Sequence, residues 1–415
     1  MLTWEAARDK VLAGVAPLPP VTAAVADALG RALAGDVAAP EDMPPFDNSA
    51  MDGFAVQSGD VAGASPETPV ALKVVAEQPA GTSGAVIGTG EAVRIMTGAP
   101  IPDGADAVVM IEATNFWDPV TKRGRRPSGA EAGALRVRGE VKPGTNIRSR
   151  GESVRAGTVM LERGHVVRGA EIGLLLSVGV LVVRVHPLPR VGVLSTGDEL
   201  VPASRTPGPG QIRDSNRPAL LAALTARGFP VLDLGLAGDD REALRAGIAR
   251  GAAEADFLLT SGGVSVGDRD VTRDVLAGMG SVESYQVAVK PGKPQLFGHL
   301  GKTPVFGLPG NPVSSLVVFD QFVLPALKKM AGRTDTVWPV FTARMGSLVR
   351  RRPGRLEFLR VRLEPEDGVW VARTTGPQGS GVLSSMARAN GYAILPPEAE
   401  RLEPGDPVQV QRWDG

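Results

Sequence analysis

The sequence predicts a multidomain α/β plus β protein. Three observations carry that expectation. Between residue 190 and about residue 332, short apolar runs alternate with stretches of helical length. That order builds a parallel sheet with helices on both faces, a three-layer α/β domain. From residue 46 to about 146, and again after Pro339, short strand-like runs are punctuated by glycine and proline. Finally, 415 residues exceed one ordinary core, so about two to four domains are expected.

In chain order, Leu2, Ala6, Val11 and Leu12 fall near one face of a first helix, and 21–33 reads as a second, with Thr22 near its start. The prolines of 40–45 break regular structure. Residues 70–76, 91–96 and 107–110 read as strands of a small β-rich domain. Within it, 118–131 is polar and basic and reads as an exposed hairpin tip. Residues 171–178 read as a helix and 181–185 as a strand, returning to pack with the N-terminal helices. Pro187 and Pro189 mark a boundary. Four strand–helix pairs follow: 191–194 with 218–227, 231–236 with 241–250, 257–259 with 271–279, and 305–308 with 312–330. The tail contributes strands at 340–344, 358–363 and 392–395.

Composition removes several classes of function. With 45 basic and 45 acidic residues the formal net charge is zero, so no global field holds nucleic acid or an anionic membrane. The absence of cysteine excludes disulfides, thiolate metal sites, cysteine nucleophiles and iron–sulfur clusters. Three histidines, His165, His186 and His299, are too scattered to suggest a histidine metal site. No signal peptide is visible, and the longest apolar run, 172–183, is far short of the about 20 residues a membrane span needs. A cytoplasmic location is the expectation.

The chemistry concentrates where strands of the α/β region end. Ligands of such sheets bind at the carboxyl ends of the strands. The run TSGGVSVGDRD at 260–270 joins an apolar strand to a helix. Its glycines can gather backbone N–H groups at the positive end of a helix dipole, which suits phosphate. Asp268 and Asp270 at its end suit a divalent metal or acid–base work. The other strand ends carry Ser195, Thr196 and Glu199; Asp239 and Asp240; and Pro309, Gly310, Asn311 and Pro312. Asn311 fits an N-cap and Pro312 the first helical position, leaving free N–H groups toward a ligand. Asp214, Ser215 and Asn216 offer another capped helix start. Each has a bland reading: a plain cap, a solvated acid, a packing turn. Their conjunction on one sheet edge favours an anion site with metal. Lys290-Pro291-Gly292-Lys293-Pro294 sets two lysines at a fixed spacing. It reads either as an exposed turn or as an oxyanion clamp. There is no P-loop run.

Taken together, PPFDNSAMDGFAV, RIMTGAPIPDGADAVVM, NIRSRGES, STGDEL, SGGVSVGDRD, VKPGKP and LPGNPVSS resemble the molybdopterin molybdenumtransferase family, the bacterial MoeA proteins and the E domains of plant Cnx proteins and gephyrin. The motifs run in family order from about residue 40 to 320. The resemblance implies a four-domain subunit: domain I from 1–45 with 147–186, a β-rich domain II at 46–146, an α/β molybdopterin-binding domain III at 187–332, and a C-terminal β-barrel-like domain IV at 333–415. It implies a homodimer with shared active sites. The implied reaction takes adenylylated molybdopterin and molybdate with Mg²⁺, moves molybdenum to the dithiolene sulfurs and releases AMP.

The roles that follow from the resemblance are these. Ser195, Thr196, Asp214, Ser261, Gly262, Gly263, Ser265, Gly267, Pro309, Gly310 and Asn311 bind the pterin phosphate and adenylate. Glu199, Asp239 and Asp270 are catalytic acids that hold the cation or orient the cleaved phosphoanhydride. Lys290, Lys293, Arg355 and Ser380 take molybdate, with Arg360 a rival to Arg355. Asp52 and Thr97 act from the dimer mate. The chain departs from many relatives at Ser153, where they have Asp, and from some at Gln286, where they have Lys. The loss of one acid and one base could compensate, or could alter the anion preference toward tungstate. An adenylyltransferase and a non-catalytic scaffold are the alternative functions.

Overall fold

The computed structural model describes residues 1–124, 134–263 and 271–413. They form two compact units. The first contains Met1–Gly35, Arg163–Arg168 and Val183–Gly415; the second contains Asp36–Glu162 and Gly169–Val182.

In the first unit, the opening helix is Trp4–Ala13. Thr3 caps it by accepting from the Ala6 amide at 3.2 Å, and Ala7 and Val11, one turn apart, are its buried residues. Leu2 lies before the helix, bridged to Val287. The helix expected at 21–33 does not form. Val21–Ala24 is a strand and Val25–Asp27 a single 3₁₀ turn. The rest of that stretch gives its amides to distant carbonyls: Gly30 to Val167, Leu33 to His165, Ala34 to Arg184. Those partners satisfy the backbone outside a helix, and the alanine-rich propensity yields to them.

The α/β sheet has six strands in the order Val231–Ala237, Val191–Thr196, Phe257–Ser261, Thr303–Leu308, Pro294–Leu300 and Ser281–Gln286. The first four are parallel, as expected. The last two are antiparallel additions that make the sheet mixed. Both faces are covered. Val193, Phe257, Leu259 and Phe306 pack with helix Asn216–Ala226, while Leu194, Leu258 and Val305 pack with helices Arg241–Glu254 and Val271–Met279. This alternation of strand side chains between two cores is the period-2 consequence of a doubly covered sheet. The long helix expected at 312–330 is Pro312–Val318, a π-helical turn Phe319–Val323, and Leu324–Met330.

The tail of this unit closes into a β-barrel. Leu356–Glu366 pairs with Val369–Thr374, which pairs with Phe341–Met345, then Pro407–Arg412, then Gly391–Leu395, which returns to Leu356–Glu366. Closure removes the exposed edges of an open sheet. The two-residue strand Val289–Lys290 of the α/β region adds alongside Leu356–Glu366, in parallel.

The second unit centres on a five-stranded sheet in the order Ala134–Val137, Val70–Gln78, Glu91–Ile95, Gly53–Val56 and Ala107–Met110. Phe54 and Phe116 meet edge to face in its core, 4.9 Å apart. Trp117–Asp118 and Arg123–Gly124 pair antiparallel across residues 119–122, within the stretch 118–131 read as a hairpin tip; the rest of that stretch, beyond Gly124, lies outside the described residues. Gly169–Ser177 is the expected helix.

Candidate functional site

The carboxyl ends of the parallel strands open onto a cavity of about 540 Å³. Thr196, Glu199, Asp214, Asn216, Ser261 and Gly262 line it, together with Gly310 and Asn311 from the next strand end. Seven of the residues assigned to phosphate or cation from the sequence therefore share one cavity. Ser195 is fully buried beneath it, donating to Asp214 Oδ1 at 3.0 Å. Asp214 also accepts from the Arg217 amide at 3.2 Å and from Arg217 Nε at 3.0 Å. So Asp214, and not the helix-capping Ser215, satisfies this helix start.

In the sequence Asn216 reads only as part of a helix cap. Its Nδ2 donates to Ser261 Oγ at 2.9 Å and to the Gly310 carbonyl at 2.8 Å, stitching three strand-end loops together. Gly262 holds φ +98°, and a Cβ there would lie 2.5 Å from the Thr196 carbonyl oxygen. Only glycine lets these two strand ends approach so closely. Gly263 follows it, and Pro309 is buried behind Gly310. Glu199 turns back over Gly197, whose φ of +139° and missing side chain make the room.

Some expected groups are engaged elsewhere. The Val313 amide, expected among free donors at the Asn311–Pro312 helix start, donates to the Ser380 carbonyl at 3.1 Å. Asn311 occupies the N-cap position without a side-chain cap bond. Asp240 is a plain N-cap, accepting from Glu242. The Asp239 amide donates to Asp198 Oδ1 at 2.8 Å, and both side chains are on exposed residues. Ser265, Gly267, Asp268 and Asp270 lie outside the described residues. Among the described residues no cluster of three acids or histidines forms a ready metal site.

A second cavity, of about 250 Å³, lies against the barrel. Lys290, Arg350, Arg351, Glu357, Thr374 and Gln378 are among its lining residues. The described residues that line it do not include Lys293, Arg355 or Ser380. Arg355 Nη1 instead donates to the Val289 carbonyl at 3.2 Å, next to Lys290. Lys293 lies three residues further, its carbonyl accepting from Val287. The rival Arg360 is fully buried, donating to Ser385 Oγ and to the Gly379 carbonyl, both at 3.1 Å. Sequence reading missed Arg351 and Glu357. Gln286 ends the last sheet strand, where its carbonyl accepts from Leu2.

In the second unit, Thr97 donates twice to Asp52 Oδ1, from its amide at 2.7 Å and its hydroxyl at 2.8 Å. These bonds, amide first, and the charge of Arg94 hold the Asp52 carboxyl below the usual carboxylate range.

Three family profiles match along the chain: the MoeA N-terminal region (domain I and II) over residues 2–179, the probable molybdopterin binding domain over 192–329, and the MoeA C-terminal region (domain IV) over 342–413. Molybdopterin molybdenumtransferase 2 of Mycobacterium tuberculosis is 39% identical over 402 residues, covering 95% of each chain. The molybdopterin molybdenumtransferase of Haemophilus influenzae is 37% identical, covering 100% of this chain and 99% of its own. The crystal structure of the molybdopterin biosynthesis MoeA protein from Pyrococcus horikoshii superposes with a TM-score of 0.79 at 32% identity, covering 100% of both chains. Among the described residues no helix is long and apolar enough to cross a membrane.

Proposed function

This chain belongs to the MoeA family of molybdopterin molybdenumtransferases, and we propose that its two cavities divide the transfer of molybdenum between them. The activity is molybdenum insertion into molybdopterin during molybdenum cofactor biosynthesis. A free-standing adenylyltransferase would have no use for the barrel and the second unit, both of which fall within family matches.

In our reading the strand-end cavity takes adenylylated molybdopterin. Asn216, Asn311 and the backbone around Gly262 and Gly310 face the phosphate groups, where neutral donors bind oxyanions without fixing their number. The barrel-side cavity takes molybdate. Its lining has three cationic side chains and one carboxylate, so its net charge complements a dianion. The pairing of these two chemically different cavities carries the reading. Lys290 presents molybdate, the dithiolene thiols replace molybdate oxygen, which leaves as water with the thiol protons, and water cleaves the phosphoanhydride to release AMP.

The donor chemistry fits Mg²⁺. Glu199 lines the phosphate cavity, and Asp239 lies at the neighbouring strand end beside Asp198. Mg²⁺ takes one or two carboxylates and completes its shell with substrate phosphate and water. Held by Glu199 and Asp239, with Asp270 assigned to the same role by the family resemblance alone, the ion would neutralise charge on the cleaved phosphoanhydride. Asp52, kept ionised by Thr97, would act on the site of a second copy in a homodimer.

The test is an anaerobic assay with purified protein, adenylylated molybdopterin, Mg²⁺ and molybdate. Molybdate-dependent AMP release with formation of active cofactor is expected. Adenylylation of molybdopterin from ATP would overturn the assignment. Running tungstate in parallel tests whether Ser153 and Gln286 alter anion choice; equal preference in wild type and Gln286→Lys would remove that idea.

A further inference from the structure

Within the barrel-side cavity the lysine is held by an acid. Lys290 and Glu357 are direct partners in the parallel pairing of Val289–Lys290 with Leu356–Glu366. Lys290 Nζ lies 2.9 Å from Glu357 Oε1. Glu357 is 2% exposed, so its carboxylate has no freedom to turn toward water. Its other oxygen lies 3.1 Å from Arg351 Nε. Arg351 is itself anchored, donating to the Pro396 carbonyl at 3.0 Å and to the Arg355 carbonyl. The order of rigidity thus runs from barrel backbone to Arg351, to Glu357, to the half-exposed lysine.

A lysine ammonium is a mobile point charge with three donors on a flexible stem. The ion pair with Glu357 fixes the end of the stem and leaves ammonium donors for an incoming oxygen. A buried charge is retained only when paired, and Glu357 has both its pairs inside this cavity.

We propose that Glu357 is a positioning residue that holds the Lys290 ammonium in place for molybdate. This rests on the reading of the cavity as the molybdate site. Two effects of a neutral residue at 357 oppose each other: the cavity gains positive charge, which favours an anion, and Lys290 loses its anchor, which disfavours it. Positioning requires the second to win.

The test uses the full chain and measures binding of molybdate alone and of AMP alone, with melting curves for each variant. Lys290→Gln tests the cavity and is expected to weaken molybdate by about tenfold or more. Glu357→Gln is expected to weaken molybdate by about fivefold, with AMP affinity unchanged. In the Lys290→Gln background only the gain of positive charge remains, so adding Glu357→Gln is expected to leave molybdate affinity unchanged or to tighten it slightly, and not to weaken it. Glu357→Asp keeps a buried counter-charge in the cavity but shortens its reach to Lys290. It is expected to weaken molybdate too, and it decides the matter if the glutamine variant fails to fold. Tighter or unchanged molybdate binding in the folded variant overturns the proposal, as does a full effect without Lys290. If Lys290→Gln itself leaves molybdate binding intact, the molybdate reading of the cavity fails instead.

Discussion

The Tyr392 hydroxyl donates to Asp320 Oδ2 at 2.8 Å, tying a barrel strand to the π-helical turn Phe319–Val323 of the α/β region. Gln321 and Gln411 make a second such tie at 2.8 Å. Burial pushes the Asp320 carboxyl up to about 6, against the opposing pull of Arg227 and the tyrosine hydroxyl. A π-turn inside a helix is a feature concentrated at functional places, and here it presents the acid to the barrel.

A carboxyl with a raised native pKa binds more protons folded than unfolded between about pH 4 and 6. Its contribution to stability is therefore present below pH 4 and is lost as pH rises through 6. The shift corresponds to about 3 kcal/mol. Asp320→Asn should remove this dependence. The difference in unfolding free energy between wild type and variant, measured by denaturant titration from pH 4 to 7, should move in the variant's favour by about that amount. A constant difference would refute the assignment.

Gly262→Ala should cost about 1–3 kcal/mol, because the new methyl meets the Thr196 carbonyl oxygen and φ is positive. AMP binding should fall with stability, since the same approach shapes the cavity. A melting curve and an AMP titration read both effects. Wild-type values would mean that the strand ends can part without loss.

Thr97→Val removes one of the two bonds that hold the Asp52 carboxyl low. Its pKa should rise toward the ordinary range while the amide bond remains. If ionised Asp52 serves turnover, the acid limb of the rate profile should shift to higher pH in the variant. A limb that stays where it is would remove Asp52 from the reaction.

Glu199→Gln should raise the Mg²⁺ concentration for half-maximal AMP release by about tenfold or more, leaving metal-free AMP binding little changed. Turnover should be lost on chelation in the wild type and return with added Mg²⁺. Equal metal dependence in the two proteins would take Glu199 out of the cation site.

Much of the α/β region was legible because strand and helix periods differ sharply there. Residues 271–279 were read with the bounds the helix has, and the four parallel strands were marked. The two antiparallel strands were not. Ser281–Gln286 is largely exposed, polar and at the sheet edge, and Pro294–Leu300 opens on proline and carries Gly298, so neither shows a strand pattern. The barrel's closure rests on pairing Glu357–Val361 with Gly391–Leu395, a non-local match that no local pattern specifies. In the cavities, glycine and asparagine at strand ends were readable signals. Glu357 was not singled out, although an acid flanked by Leu356 and Phe358 in an apolar run hints at a buried partner. Arg360, read as a rival ligand, supports the loop through Gly379 instead.

The small strand Val289–Lys290 belongs by sequence to the α/β region and by hydrogen bonding to the barrel. The two regions are thus not interchangeable modules. A chain cut between them at residue 335 would keep most of the strand-end cavity, yet leave Lys290 without its template. Grafting a barrel from a relative would succeed only if its equivalent of Leu356–Glu366 matched the register of the borrowed strand. In this protein the unit of inheritance is the pairing across the boundary, and the boundary in the sequence is not a boundary in the chemistry.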